Sequence, residues 1–342
     1  MFRKIVIFSL LALLCSSCIK QDLSDCVLRL EFSYTYNKSG QNQIGQIRDI
    51  QVYVFDSKGV LYEVIRATQQ DITRGYVEIT LPSDTYTAVA WGSSSTNMMG
   101  SYKVAEMTAP ATHTYTPQVT TGVTTLNNFR KMLSYEQLPS DVYGDITPQN
   151  EQFDDLFYAI AQNFPVVEGR NQTVSLNFMK NTSILKVKVT GLQNLRSTRA
   201  PHPNQPLQLF VAGKNGRFGY DNSIDNSART VRYEPPATTV AANDMAVDVK
   251  VQRLIIDRHR QTDPVELHIE HPETGTVMRV PLNVVETILA ARDASNNPVW
   301  ANQEAIDKED EFTIEVSILH DANIGIKVNG FEIVDLTPEL RP

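Results

Sequence analysis

The sequence predicts an all-β fold: two tandem β-sandwich domains with a few short helices, placed after a lipoprotein signal peptide. Three observations predict it. Apolar side chains recur with period two in many short runs. Turn-forming clusters punctuate those runs. The three cysteines, Cys15, Cys18 and Cys26, all fall within the first 26 residues, after an apolar N-terminal stretch.

Taken in chain order, Arg3 and Lys4 precede the apolar run from Ile5 to Leu14. As a helix this run is about 15 Å long, half of a bilayer core of about 30 Å. It therefore reads as a signal-peptide h-region and not as a span. The small residues Ser16 and Ser17 before Cys18 resemble a bacterial lipobox, with cleavage between Ser17 and Cys18. A thiolate is the nucleophile that such chemistry needs, so Cys18 is the expected site of diacylglyceryl and N-acyl attachment. Two or more acyl chains anchor stably where one does so only marginally. Residues 18–26 form a polar tether, and Cys26 is either a small apolar residue at the start of the first strand or a free thiol for another chain.

The body begins with Leu28, Leu30, Phe32, Tyr34 and Tyr36 on one face of a strand. Ile50, Val52 and Val54 alternate with Gln51, Tyr53 and Phe55, the pattern of a strand buried on both sides. Further alternations run through Val77–Leu81, Leu185–Val189, Val247–Val251, Phe312–Ile318 and Ile324–Val328. Short helical patterns cover 129–138, 154–161 and 285–292, and 114–128 reads as a surface loop. Three prolines, Pro201, Pro203 and Pro206, mark 194–206 as a linker. The expected organisation is a signal peptide (1–17), a lipidated tether (18–26), an N-terminal sandwich (27–195) and a C-terminal sandwich (196–342).

Composition excludes several function classes. With 42% hydrophobic and 20% charged residues among 342, the chain has enough apolar material for a sizeable core, which argues against disorder. A net charge of −8 becomes −10 when Arg3 and Lys4 leave with the signal peptide, and this opposes nucleic-acid binding. His268, Glu270 and His271 lack the spacing of a zinc-binding helix and read as a solvated strand edge. The Asp221–Asn226 stretch lacks the ligand pattern of a calcium loop and reads as Asx turns. No catalytic residue, metal ligand or cofactor site is expected.

Five stretches together resemble one family. They are Cys18 to Cys26, Ile50 to Asp56 with Gly59, Leu81-Pro82 with Tyr86 to Gly92, Asp155 to Ala159, and Asp307 to Glu315 leading to Ile326–Phe331. In this order the chain resembles the fimbrillin-associated anchor lipoproteins of type V pili, the anchoring subunits of Bacteroidales-type fimbriae. Phe331 stands where that family has Trp, and Cys15 loosens the lipobox. The resemblance implies fimbrillin/transthyretin-like sandwiches held to the outer membrane by lipid on Cys18. It implies shaft subunits as partners and a role in attaching the base of a fimbrium and limiting its length. It also implies retention of the first strand, which shaft subunits lose to an arginine-specific protease to open a groove for a neighbour.

At the other end, Phe331, Ile333 and Val334 either close the second sandwich or form a strand donated to a shaft subunit. The alternative functions are a surface lipoprotein that binds glycan or another ligand, and a shaft or tip subunit of the same fimbriae. For ligand binding Trp300, in a loop after Asn296-Asn297-Pro298, is the expected surface contact, whereas Trp91 reads as core. Burying the apolar face of the first strand is worth about 1.5–3 kcal/mol per side chain, so this strand is expected to stay in place. Arg29, the first arginine after Cys18, should then resist proteolysis. N-terminal sequencing of the surface protein checks this, and a dominant start at Leu30 contradicts it.

Overall fold

The computed structural model describes residues 27–333 apart from 110–113, 117, 135–152, 196–207, 226, 229, 237, 242–243, 271–281 and 320–323. Ser17, Cys18 and Cys26, and Val334 at the other end, lie outside the described residues. The first half carries β1 (Leu28–Tyr36), β2 (Asp49–Phe55), β3 (Leu61–Ala67), α1 (Gln69–Arg74), β4 (Tyr76–Ile79), β5 (Asp84–Ser93) and α2 (Met98–Ser101). β6 (Tyr102–Ala109), β7 (Thr114–Thr116), β8 (Phe129–Leu133), β9 (Leu156–Val166) and β10 (Gln172–Lys180) follow. The second half carries β11 (Thr182–Thr190), α3 (Leu192–Leu195), β12 (Gln208–Gly213), β13 (Arg217–Gly219), β14 (Val231–Tyr233), β15 (Thr238–Ala241), β16 (Asp244–Gln252) and α4 (Ile256–Gln261). It ends with β17 (Glu266–Glu270), β18 (Leu282–Asn283), α5 (Val284–Ala290), α6 (Gln303–Asp307), β19 (Glu311–Ile318), β20 (Ile324–Val328) and β21 (Phe331–Glu332).

The first sandwich is one ladder bent on itself, in the order β3-β2-β5-β9-β10-β1-β4. β9 and β10 meet only through Met179–Tyr158 and Lys180–Phe157, and the ladder turns its corner there. Alternation supplies the two facing layers. Leu28, Leu30, Phe32 and Tyr34 of β1 and Ile50, Val52 and Val54 of β2 share one core. Helix α1 joins the two end strands, β3 and β4. Six residues of helix span only about 9 Å, so those ends lie close together. Thr68 and Asp71 form a capping box at its start, and Gly75 ends it at φ 82°.

The second sandwich stacks the sheet β15-β16-β11-β19-β20-β21 on the sheet β14-β12-β17-β18. β11 sits in the middle of the larger sheet. Leu185, Val187 and Val189 are buried, and the Lys residues between them face outward. Asn283 caps α5 by accepting from Glu286 N at 3.1 Å, and the helix buries Val284, Val285, Thr287 and Ile288.

The change of sandwich does not coincide with the expected division at 195/196. β10 belongs to the first ladder, β11 pairs with β16 and β19 of the second, and Asn181 alone stands between them. The proline-rich stretch instead connects β11 to β12 within the second sandwich. The second half also lends a strand to the first. The four-stranded sheet β13-β8-β6-β7 takes β13 from the second half, with Arg217, Phe218 and Gly219 opposite Met132, Lys131 and Arg130.

Three expected elements differ. Residues 129–133 and 156–160, expected as helix, are strands, while 284–290 is the helix foreseen at 285–292. The expected loop at 114–128 contains β7. β8 and the start of β9 carry runs of consecutive buried residues, because both faces are covered. Such runs have no period-two signal.

Lys131 on β8 is fully buried at this junction. Its Nζ donates to Met98 Sδ at 2.8 Å and lies 6.0 Å from the Tyr102 ring centroid. Burial pulls its pKa down to about 7, and the charge of Asp49 opposes this only in part. Asp49 is itself engaged by Arg66 at 3.1 Å and by Met98 N at 3.0 Å. The unfolded chain keeps the lysine proton up to a pKa of about 10.4, so between pH 7 and pH 10 it binds more protons than the folded chain. Stability should rise with pH across that window. Lys131→Met should flatten the rise and add on the order of 3 kcal/mol near pH 7. Urea unfolding of both proteins at pH 7 and pH 9 checks this, and equal pH slopes contradict it.

Candidate functional site

The residues with functional expectations lie mainly toward the two ends of the chain, and the structure adds a seam between the sandwiches. At the N-terminal end, β1 is hydrogen-bonded on both sides. It runs parallel to β10, with Leu28 opposite Gln172 and Leu30 opposite Val174. It runs antiparallel to β4, with Leu28 opposite Ile79 and Leu30 opposite Val77. Leu30 has no exposed surface, and Phe32 packs edge-to-face on Phe178 at 6.2 Å. Arg29 projects outward, pairs with Glu78 at 2.9 Å and lies 4.1 Å over the Tyr76 ring. Its backbone, which a protease must extract to cut, is held in both ladders.

At the C-terminal end, Phe331 pairs with Val328, and Ile333 forms a bridge with Ala291. Arg292 N donates to Glu332 O at 3.2 Å, which returns the chain toward α5. Phe331 lies edge-on to Trp300 at 6.3 Å, and Trp300 in turn packs on Phe312 at 5.4 Å. The expectation that Trp300 is a surface contact is therefore corrected. It is 4% exposed, because the turn through Asn296 and Asn297 folds its ring under Phe331. Trp91 is buried as expected, against Tyr158 and Phe218.

The seam is polar as well as apolar. Asp225 accepts from Arg130 Nε at 2.6 Å and from Tyr115 OH at 3.0 Å, which ties β7 and β8 to the second half. Burial alone would raise the Asp225 carboxyl, but the Ser227 donors and Arg130 outweigh it and hold its pKa at about 2. Asn181 and Asn222, both buried, exchange side-chain amide hydrogen bonds. Gln252 Nε2 donates to Tyr102 OH at 2.9 Å, and Tyr158 OH donates to Tyr220 O at 2.9 Å. The stretch from Asp221 forms the Asx turns read from the sequence, with Asp221 accepting from Ser223 and Asp225 from Ser227. The seam itself escaped sequence reasoning. Asp225 lies about a hundred residues from both Tyr115 and Arg130 in sequence, and no local pattern links them.

His268 does not lie on a solvated edge. β17 pairs with both β12 and β18, and the His268 ring stacks on Phe210 at 4.7 Å. Among the described residues, no group of three or more His, Cys, Asp and Glu side chains could hold a metal ion. Among them, too, no helix is long and apolar enough to cross a membrane.

Several solved structures share this fold. The fimbrial anchor protein Mfa2 from Porphyromonas gingivalis is 19% identical, with a TM-score of 0.62 over 90% of this chain and 98% of that one. A Bacteroides thetaiotaomicron protein described as polysaccharide-binding is 20% identical, with a TM-score of 0.68 over 92% of this chain and 100% of that one. A Bacteroides ovatus protein described as an adhesin is 17% identical, with a TM-score of 0.65 over 90% and 96%. At such identities the likeness establishes the fold alone. No curated protein sequence matches the chain. The sequence itself settles the family, one of fimbrial proteins and not of enzymes: residues 23–337 match its model, and the chain belongs to the fimbrillin-A associated anchor proteins Mfa1 and Mfa2.

Proposed function

We propose that this chain is the lipid-anchored base subunit of a fimbrium. It is held in the outer membrane by acyl chains on Cys18, exposed at the cell surface and bound to shaft subunits. It ends elongation because its first sandwich has no vacancy for a neighbour's strand. The observation that carries the reading is β1, which fills the position between β10 and β4 with its own apolar side chains. Displacing it would expose Leu28, Leu30, Phe32 and Tyr34, at about 1.5–3 kcal/mol each. A filled position cannot accept another chain, so growth past this subunit is blocked. Family membership supports the same role. The ligand-binding alternative loses its best feature, because both tryptophans are buried.

Palmitate labelling of the parent and of Cys18→Ala, with fibres assayed in the medium, tests the role. Loss of label together with shedding of long fibres is expected. Retained label, or fibre length and retention unchanged, contradicts it.

The C-terminal segment has two roles to separate. Packing of Phe331 on Trp300 supports closure of the second sandwich. Truncation before Phe331 should then cost about 2 kcal/mol in denaturant unfolding. A truncated chain of unchanged stability that fails to retain fibres would instead assign the segment, with Ile333 and Val334, to the shaft partner.

A further inference from the structure

Asparagine followed by glycine occurs twice in the chain, at Asn215-Gly216 and at Asn329-Gly330. The pair is chemically labile. The backbone nitrogen after an asparagine can attack that asparagine's own side-chain amide, and a glycine in the next position leaves the attack unhindered. Solvent access and main-chain freedom decide whether the attack occurs, and the fold treats the two sites differently.

Asn215 is locked. It has no exposed surface. Its Nδ2 donates to Gln252 O at 3.0 Å, and its Oδ1 accepts from Tyr233 OH at 2.6 Å. Gly216 O accepts from Leu133 N at 3.0 Å, and a Cβ built on Gly216 would lie 2.7 Å from Val231 Cγ2. Neither residue can turn without opening the seam.

Asn329 and Gly330 turn the chain from β20 to β21, both at positive φ, 49° and 81°. Gly330 is exposed, and nothing lies within 4 Å of a Cβ built on it. Its backbone nitrogen makes no hydrogen bond among the described residues. Asn329 Oδ1 accepts from Thr313 N, and Asn329 N donates to Thr313 O at 2.8 Å. The first of these bonds draws electron density from the side-chain carbonyl and so favours attack on Cγ. Asn329 Nδ2, the leaving group, has no partner among the described residues. β21 is two residues long, so the turn can open at the cost of few ladder bonds.

We propose that Asn329 is a site of spontaneous deamidation and isomerisation. Gly330 N bonds to Asn329 Cγ and gives its proton to solvent. The Cγ–Nδ2 bond breaks, and the amide nitrogen takes a proton from solvent and leaves as ammonia. Water then opens the cyclic imide at either carbonyl, which gives aspartate or isoaspartate without any change of oxidation state. Aspartate keeps an oxygen for Thr313 N. Isoaspartate routes the main chain through the side-chain carbon and lengthens it by one methylene. The Thr313 pair and the register of β21 on β20 cannot then both persist, and Phe331 loses its seat over Trp300. The step is one-way, so the C-terminal segment loosens with the age of the molecule.

The test incubates the purified protein in mildly alkaline buffer at body temperature, folded and in guanidinium. The peptides carrying Asn329 and Asn215 are followed by mass spectrometry, with fragmentation that separates aspartate from isoaspartate. Each folded rate is divided by the unfolded rate of the same peptide. That ratio should be at least about tenfold larger for Asn329, because attack at Asn215 waits on opening of the core. Equal ratios, or a folded Asn329 that stays asparagine while the unfolded one converts, overturn the proposal. Asn329→Gly accepts positive φ and has no side chain to close the ring. After the same incubation the parent, and not this variant, should show red-shifted tryptophan emission. A shift of equal size in both, or none in a parent that carries isoaspartate, overturns the loosening of Phe331 from Trp300.

Discussion

A single residue, Asn181, constrains the whole molecule. β10 closes the corner of the first sandwich, and β11 is a central strand of the second, so the chain has no slack between them. Two sandwiches joined by one residue must abut, and the surfaces they press together must be desolvated without stranding polar groups. The Asn181–Asn222 amide pair, the Asp225 node and the addition of β13 to β8 meet that demand. Trp91 against Phe218 continues the core across the junction. The result is a stiff body in place of two domains on a flexible link.

Stiffness suits the proposed function, in which the subunit carries load between a membrane and a fibre. In the proposed role, force enters through the tether at the start of β1 and leaves toward the shaft. β1 is the next-to-last strand of its ladder and is hydrogen-bonded on both sides, so a pull along the strand loads many bonds together. In that role the strand that would resist extraction is also the one whose presence would end fibre growth. Under the proposed function, anchoring and termination would rest on the same packed apolar face.

Sequence reading succeeded where one face of a strand is wet. β1, β11, β16 and β19 show clean alternation, and each was legible as a strand with its inward residues named. It failed where both faces are dry. Phe129 to Leu133 and Leu156 to Ala159 are nearly continuous runs of buried residues, and their strand character comes from neighbours far away in the chain. Prolines mark 194–206 as a connection, but composition cannot say which two elements a connection joins. Trp300 looked like a loop residue because it is one. Only the return of the chain at Phe331 and Ile333 covers it.

By itself the sequence determined the all-β class, most of the strands, the family, and the expectation of a lipidated cysteine ahead of a strand too apolar to leave. Those properties are local, written in alternation, turn residues and the spacing of cysteines. Tertiary structure decided where one sandwich gives way to the next, that the second half lends a strand to the first and shares a core with it, and that β1 is locked on both sides. It also decided that a lysine lies buried at the seam. Each of these depends on which distant segments meet, and pairing between strands leaves no mark on either partner alone.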